Sequence, residues 1–134
     1  MRRALFPIAL LAALVLLCAC APVQLSIPDE GVARIDVASL PDSRDYIRVY
    51  TSPEKKAAVT DYLNGLSLRD DFPEDPSEYC GMSYVIVISY ADGSQRTLYH
   101  FGNMFIREDG CDWLRMTYDE AQELDDIIYD NSSD

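Results

Sequence analysis

Ser83-Tyr84-Val85-Ile86-Val87-Ile88-Ser89-Tyr90, followed at once by Ala91-Asp92-Gly93-Ser94, decides the fold class of this chain. Eight residues that are almost all β-branched or aromatic, apolar on both faces, predict a strand at the centre of a sheet. Asp92-Gly93 tolerates the positive φ that a tight hairpin needs, so the chain is expected to return antiparallel through Gln95–Phe101.

Working towards the C-terminus, Gly102-Asn103 is a second turn signal, leading into Met104-Phe105-Ile106-Arg107. Glu108-Asp109-Gly110 is a third, leading into Cys111–Met116. Short strands joined by tight turns make a meander. Thr117-Tyr118-Asp119-Glu120 has the spacing of a capping box, and Ala121, Leu124, Ile127 and Ile128 give the helix that follows one apolar face.

Towards the N-terminus, Ser52-Pro53 and Thr51–Glu54 both mark a helix start, with Val59, Tyr62, Leu63 and Leu66 on one face and Gly65 as a stop. Before it, Val32–Val37 and Tyr46–Tyr50 alternate like strands around the turn residues Leu40–Ser43, which predicts a hairpin. The expected architecture is α+β: an antiparallel sheet of five to six strands with two amphipathic helices packed on one face. Strand order does not follow from these patterns.

The first residues belong to another grammar. Arg2 and Arg3 precede an apolar run from Ala4 to Leu17, a charged region followed by a hydrophobic one. As a helix that run reaches about 21 Å, short of the roughly 30 Å hydrocarbon core. Ordinary secretory cleavage after Ala19-Cys20-Ala21 would place Pro22 at the cut, a poor scissile partner. Leu17-Cys18-Ala19-Cys20 instead resembles the bacterial lipobox. The resemblance implies a lipoprotein signal peptide over residues 1–19 and acylation of Cys20, which becomes the first residue of the mature chain. Residues 20–31, with Pro22, Pro28 and Gly31, then read as lipidated cysteine and tether. One domain is expected over 32–129 and a polar tail over 130–134.

If Cys18 leaves with the signal and Cys20 carries lipid, Cys80 and Cys111 remain. In an oxidising extracytoplasmic space such a pair is most simply a disulfide, joining the loop before the central strand to the start of the last one. Loss of Arg2 and Arg3 leaves 9 basic against 23 acidic side chains, a net charge of −14. That excludes nucleic acid as a partner and restricts others to neutral or cationic chemistry.

Candidate chemistry is sparse. Five carboxylates fall within Arg69–Glu78, but without EF-hand spacing they read as a solvated acidic loop rather than a Ca²⁺ site. His100 is the sole histidine, and no nucleophile motif or metal-ligand spacing accompanies it. No catalytic residue, metal ligand or cofactor is assigned. The aromatic residues crowding the strands single out Tyr84, Tyr99 and Trp113, with His100, as candidate ligand-binding residues.

From Val32 to Tyr129 the pattern of strands and helices is similar to that of small cell-surface lipoproteins of Gram-positive gut bacteria, which implies location and fold class only. The expectation is a protein held through lipid on Cys20 at the extracytoplasmic side of the cell membrane. Its domain would be a non-enzymatic binding or interaction module with an envelope-protein or glycan partner. The alternative is an envelope hydrolase or metal-assisted enzyme using His100 with nearby carboxylates. An accessory subunit with an exposed apolar patch is a third class.

Overall fold

The computed structural model describes residues 22–40 and 46–130, with the side chains of Tyr46 and Ile47 left undescribed. The expected signal peptide, Cys20 and the end of the polar tail lie outside the described residues. Among the described residues, six strands form one antiparallel sheet: β1 (Val32–Ser39), β2 (Tyr46–Tyr50), β3 (Tyr84–Tyr90), β4 (Gln95–Phe101), β5 (Phe105–Glu108) and β6 (Leu114–Arg115). Helix α1 (Pro53–Gly65) sits between β2 and β3 in sequence, and α2 (Tyr118–Tyr129) follows β6.

The sheet order is β2-β1-β3-β4-β5-β6. The β1–β2 hairpin and the β3-to-β6 meander form as their patterns predict, and the β-branched run of β3 takes an interior position between β1 and β4. The turn expected over Leu40–Ser43 lies, beyond Leu40, outside the described residues; those at Asp92-Gly93 and Gly102-Asn103 carry the expected chemistry. Ser94 donates from N and Oγ to Asp92 Oδ1 at 2.8 and 2.6 Å, and Gly93 has φ +88°. Gly102 and Asn103 both have positive φ, +61° and +60°, as in the primed turns that match strand twist. A Cβ at Gly102 would also stand 3.0 Å from Tyr79 Cβ.

Period-2 alternation divides the sheet. Ile35, Val37, Tyr84, Ile86, Ile88, Leu98 and Ile106 face the helices and form one core with Val59, Tyr62 and Leu63 of α1, Leu66 just after it, and Ala121, Leu124 and Ile128 of α2. Each large side chain so removed from water contributes roughly 1.5–3 kcal/mol. Both helices start where expected, by different means. Thr117 Oγ1 accepts from Glu120 N at 3.2 Å while Thr117 N donates to Glu120 Oε2 at 2.8 Å, a complete capping box. At α1, Pro53 occupies the first turn and Ser52 the cap position, but no side-chain cap bond forms.

From Val23 onward, the segment expected to be a tether is instead packed on the domain. Val23 exchanges two backbone hydrogen bonds with Leu68, at 2.8 and 3.1 Å. Both backbone groups of Ile27 are held by the Asn64 amide, at 2.8 and 2.9 Å. Ile27 is 3% exposed within the core, with Val23 and Leu25 packed against it.

Candidate functional site

The face of the sheet turned away from the helices carries the site. Register sets Val85 opposite Tyr99 and Tyr99 opposite Arg107, and the Ile106–Leu114 pairing brings Trp113 to the same transverse row. Because these side chains share one face on neighbouring strands, they meet. The Arg107 Cζ lies 5.2 Å from the Tyr99 ring centroid and 4.7 Å from that of Trp113, so the guanidinium is held between two aromatic faces. Phe101 adds a ring 5.9 Å from Trp113. All four side chains are half-buried, although neither helix covers them. Arg107 Nε, out of solvent contact, has no hydrogen-bond partner among the described residues.

No protein-family model, curated protein or solved structure matches the chain.

What the platform can do therefore rests on its chemistry. Aromatic faces offer flat apolar surface, suited to the C–H face of a sugar ring or to an apolar side chain. A guanidinium fixed between them presents several N–H donors in a set plane. Each cation–π contact contributes about 0.5–1 kcal/mol when exposed and about 2 when desolvated. Next to it the same face is closed by the segment before β3: Phe72 and Tyr79 pack on Phe105 at centroid distances of 5.4 and 5.0 Å and bury it fully.

Tyr84 and His100 lie on the other face. They are direct register partners, fully buried, with rings 5.8 Å apart. Tyr84 donates its hydroxyl to Asp125 Oδ1 at 2.7 Å, and burial together with that carboxylate raises its pKa. Burial pushes the His100 imidazole down to about 4, against a smaller upward pull from Asp125. Neither of its ring nitrogens has a hydrogen-bond partner among the described residues. A neutral imidazole without solvent contact has no route for exchanging protons with a substrate at the surface. So Tyr99 and Trp113 share a site, Tyr84 and His100 belong to the core, and Arg107 is the member that the residue pattern did not disclose.

Three of the five carboxylates in the acidic segment have side-chain or backbone partners. Arg69 donates to both oxygens of Asp71 at 3.0 Å, Arg115 meets Glu74 at 3.2 Å, and Asp75 Oδ1 accepts from Ser77 N and Oγ at 2.9 and 2.8 Å. The hydrogen bonds from Arg69 and from Ser77 hold the carboxyls of Asp71 and Asp75 below the ordinary range. Among the described residues no three His, Cys, Asp or Glu side chains converge as metal ligands. A groove of about 480 Å³ lies between α1 and α2, lined among others by Asp61, Tyr62, Leu66, Glu123 and Ile127.

The expected Cys80–Cys111 bridge is not formed; both cysteines are exposed and unbonded. Cys80 precedes Gly81, which abuts the Gly102-Asn103 turn, whereas Cys111 N closes the turn onto Glu108 O at 3.0 Å. These turns stand at opposite ends of β5, about 10 Å apart along the strand. A disulfide needs Cα atoms within about 7 Å.

Proposed function

We propose that the mature chain is an extracytoplasmic lipoprotein anchored through Cys20, whose domain is a non-enzymatic binding module for neutral glycans. The observation that carries the binding assignment is Arg107 held between Tyr99 and Trp113 on the sheet face opposite α1 and α2. The ring faces of Tyr99 and Trp113 turned away from Arg107 take the apolar face of a pyranose, and the fixed guanidinium donates to its hydroxyl oxygens. A chain of net charge −14 after loss of the signal disfavours polyanionic sugars, so neutral ones fit best.

Trp113 is the only tryptophan, so its fluorescence reports directly on this surface. A neutral oligosaccharide panel is expected to contain members that shift Trp113 emission saturably, with affinity at least tenfold weaker in Tyr99→Ala and Arg107→Ala. A panel without such a member, or binding indifferent to both substitutions, would overturn the glycan assignment. For the anchor, Cys20→Ala is expected to move the protein from the membrane fraction to the medium or to leave it unprocessed. Unchanged membrane retention with intact processing would refute it.

A further inference from the structure

The way residues 22–31 are secured bears on how an anchored domain sits. Val23 is bonded to Leu68, Ser26 O accepts from Arg96 Nη1 at 2.5 Å, Ile27 is gripped by Asn64, and Gly31 O accepts from Ala91 N at 2.8 Å. From Val23 onward the chain is therefore a strap bound to the body at four places. Only three residue steps separate Cys20 from Val23. At 3.3–3.6 Å per fully extended residue they span at most about 11 Å.

We propose, resting on the assignment of Cys20 as the anchor, that the domain lies directly on the lipid headgroups, with the edge made by Val23, Leu68 and Arg69 turned towards the bilayer. Eleven free residues would have let it swing some 35 Å away; a strap bound from Val23 does not. Antiparallel pairing places Pro22 beside Arg69, and Arg69 exchanges backbone hydrogen bonds with Arg115 at 2.9 and 2.8 Å. The anchored end is thus continuous with the β6 edge of the sheet. Asp70 to Glu78 follows immediately, so Arg69, Arg115 and five carboxylates stand near the headgroups, a local net charge of −3. Charges are felt over about 8 Å at physiological ionic strength. The headgroup layer that accepts this edge is accordingly a net-neutral one, such as phosphatidylcholine.

Acylated full-length mature protein in phosphatidylcholine vesicles tests the orientation. A fluorophore is placed at Asp70→Cys or at Asp92→Cys, each in a Cys80→Ser, Cys111→Ser background, with energy transfer to a headgroup-labelled acceptor lipid. Both labelled residues are exposed. Asp92 lies at the β3–β4 hairpin, next to the strap's far end at Gly31. Transfer from position 70 is expected to exceed that from position 92 at least twofold. Twelve Gly/Ser residues inserted between Ala21 and Pro22 are expected to abolish the difference. Equal transfer from the two positions in acylated, vesicle-bound protein would overturn the orientation alone. Absence of acyl mass and of co-sedimentation with vesicles would overturn the anchor assignment and the orientation with it.

Discussion

Replacing His100 with leucine is expected to flatten the acid limb of the stability curve. The imidazole titrates at about 4 when folded, because burial between β3, β4 and the helices penalises its charged form, against an ordinary value of 6.5. Between those values the unfolded chain holds a proton that the folded chain does not. Stability therefore rises with pH across this window: the contribution is fully present above 6.5 and is lost as pH falls towards 4. At 1.36 kcal/mol per pH unit the window amounts to roughly 3 kcal/mol. That is a large part of the 5–15 kcal/mol that holds a domain of this size. Urea unfolding at pH 7 and pH 4.5, followed by Trp113 fluorescence and far-ultraviolet circular dichroism, measures it. The wild type should lose roughly 2–3 kcal/mol more than His100→Leu over that interval. Asp71, Asp75, Asp92 and Glu108, whose carboxyls are held low by hydrogen bonds from Arg69, Ser77, Ser94 and Arg96 respectively, titrate alike in both proteins and cancel in the difference. At pH 7 the leucine variant should be at least as stable, since it removes two buried nitrogens without partners. Equal losses in the two proteins would show that the folded imidazole is not held neutral by its surroundings.

Asn64→Ala removes both hydrogen bonds to the Ile27 backbone and should lower stability by about 1–3 kcal/mol, with protease cleavage appearing first within residues 23–31. Thr117→Ala breaks the capping box of α2 and should cost about 1 kcal/mol, read as a lower midpoint in thermal unfolding. Arg107→Ala should change Trp113 emission in the unliganded protein while leaving far-ultraviolet circular dichroism unaltered; an unchanged spectrum would contradict the stacking. A native thiol titration should find Cys80 and Cys111 both reactive, and mass spectrometry showing them joined would require the segment around Cys80 to lie elsewhere.

The fold class was legible because local patterns and tertiary packing agree: β-branched content for β3, Asp92-Gly93 for its turn, and Thr117–Glu120 for α2 all survive into the structure. Strand order was not, since nothing local says that β1 lies between β2 and β3. The strap is masked although Val23-Gln24-Leu25-Ser26-Ile27 alternates strictly, because Pro22, Pro28 and Gly31 signal chain breaks on either side of the period-2 run. Tyr99 and His100, as neighbours in one strand, had to point to opposite faces, so one site could not hold both. Arg107 became visible only through cross-strand register, which depends on where the turns fall, and the cysteines separated because β5 lies between their loops.

The place of β1 governs when the protein can be completed during synthesis. Its partner β3 begins some fifty residues later, and the helix α2 that packs on the shared core follows later still. The first strand must therefore wait, one edge unsatisfied beyond β2, until β3 has emerged. Non-local closure of this kind slows assembly towards the millisecond-to-second range. Until then the open side of β1 is a template for wrong partners, so the interval before β3 arrives is when this sheet is most exposed to mispairing.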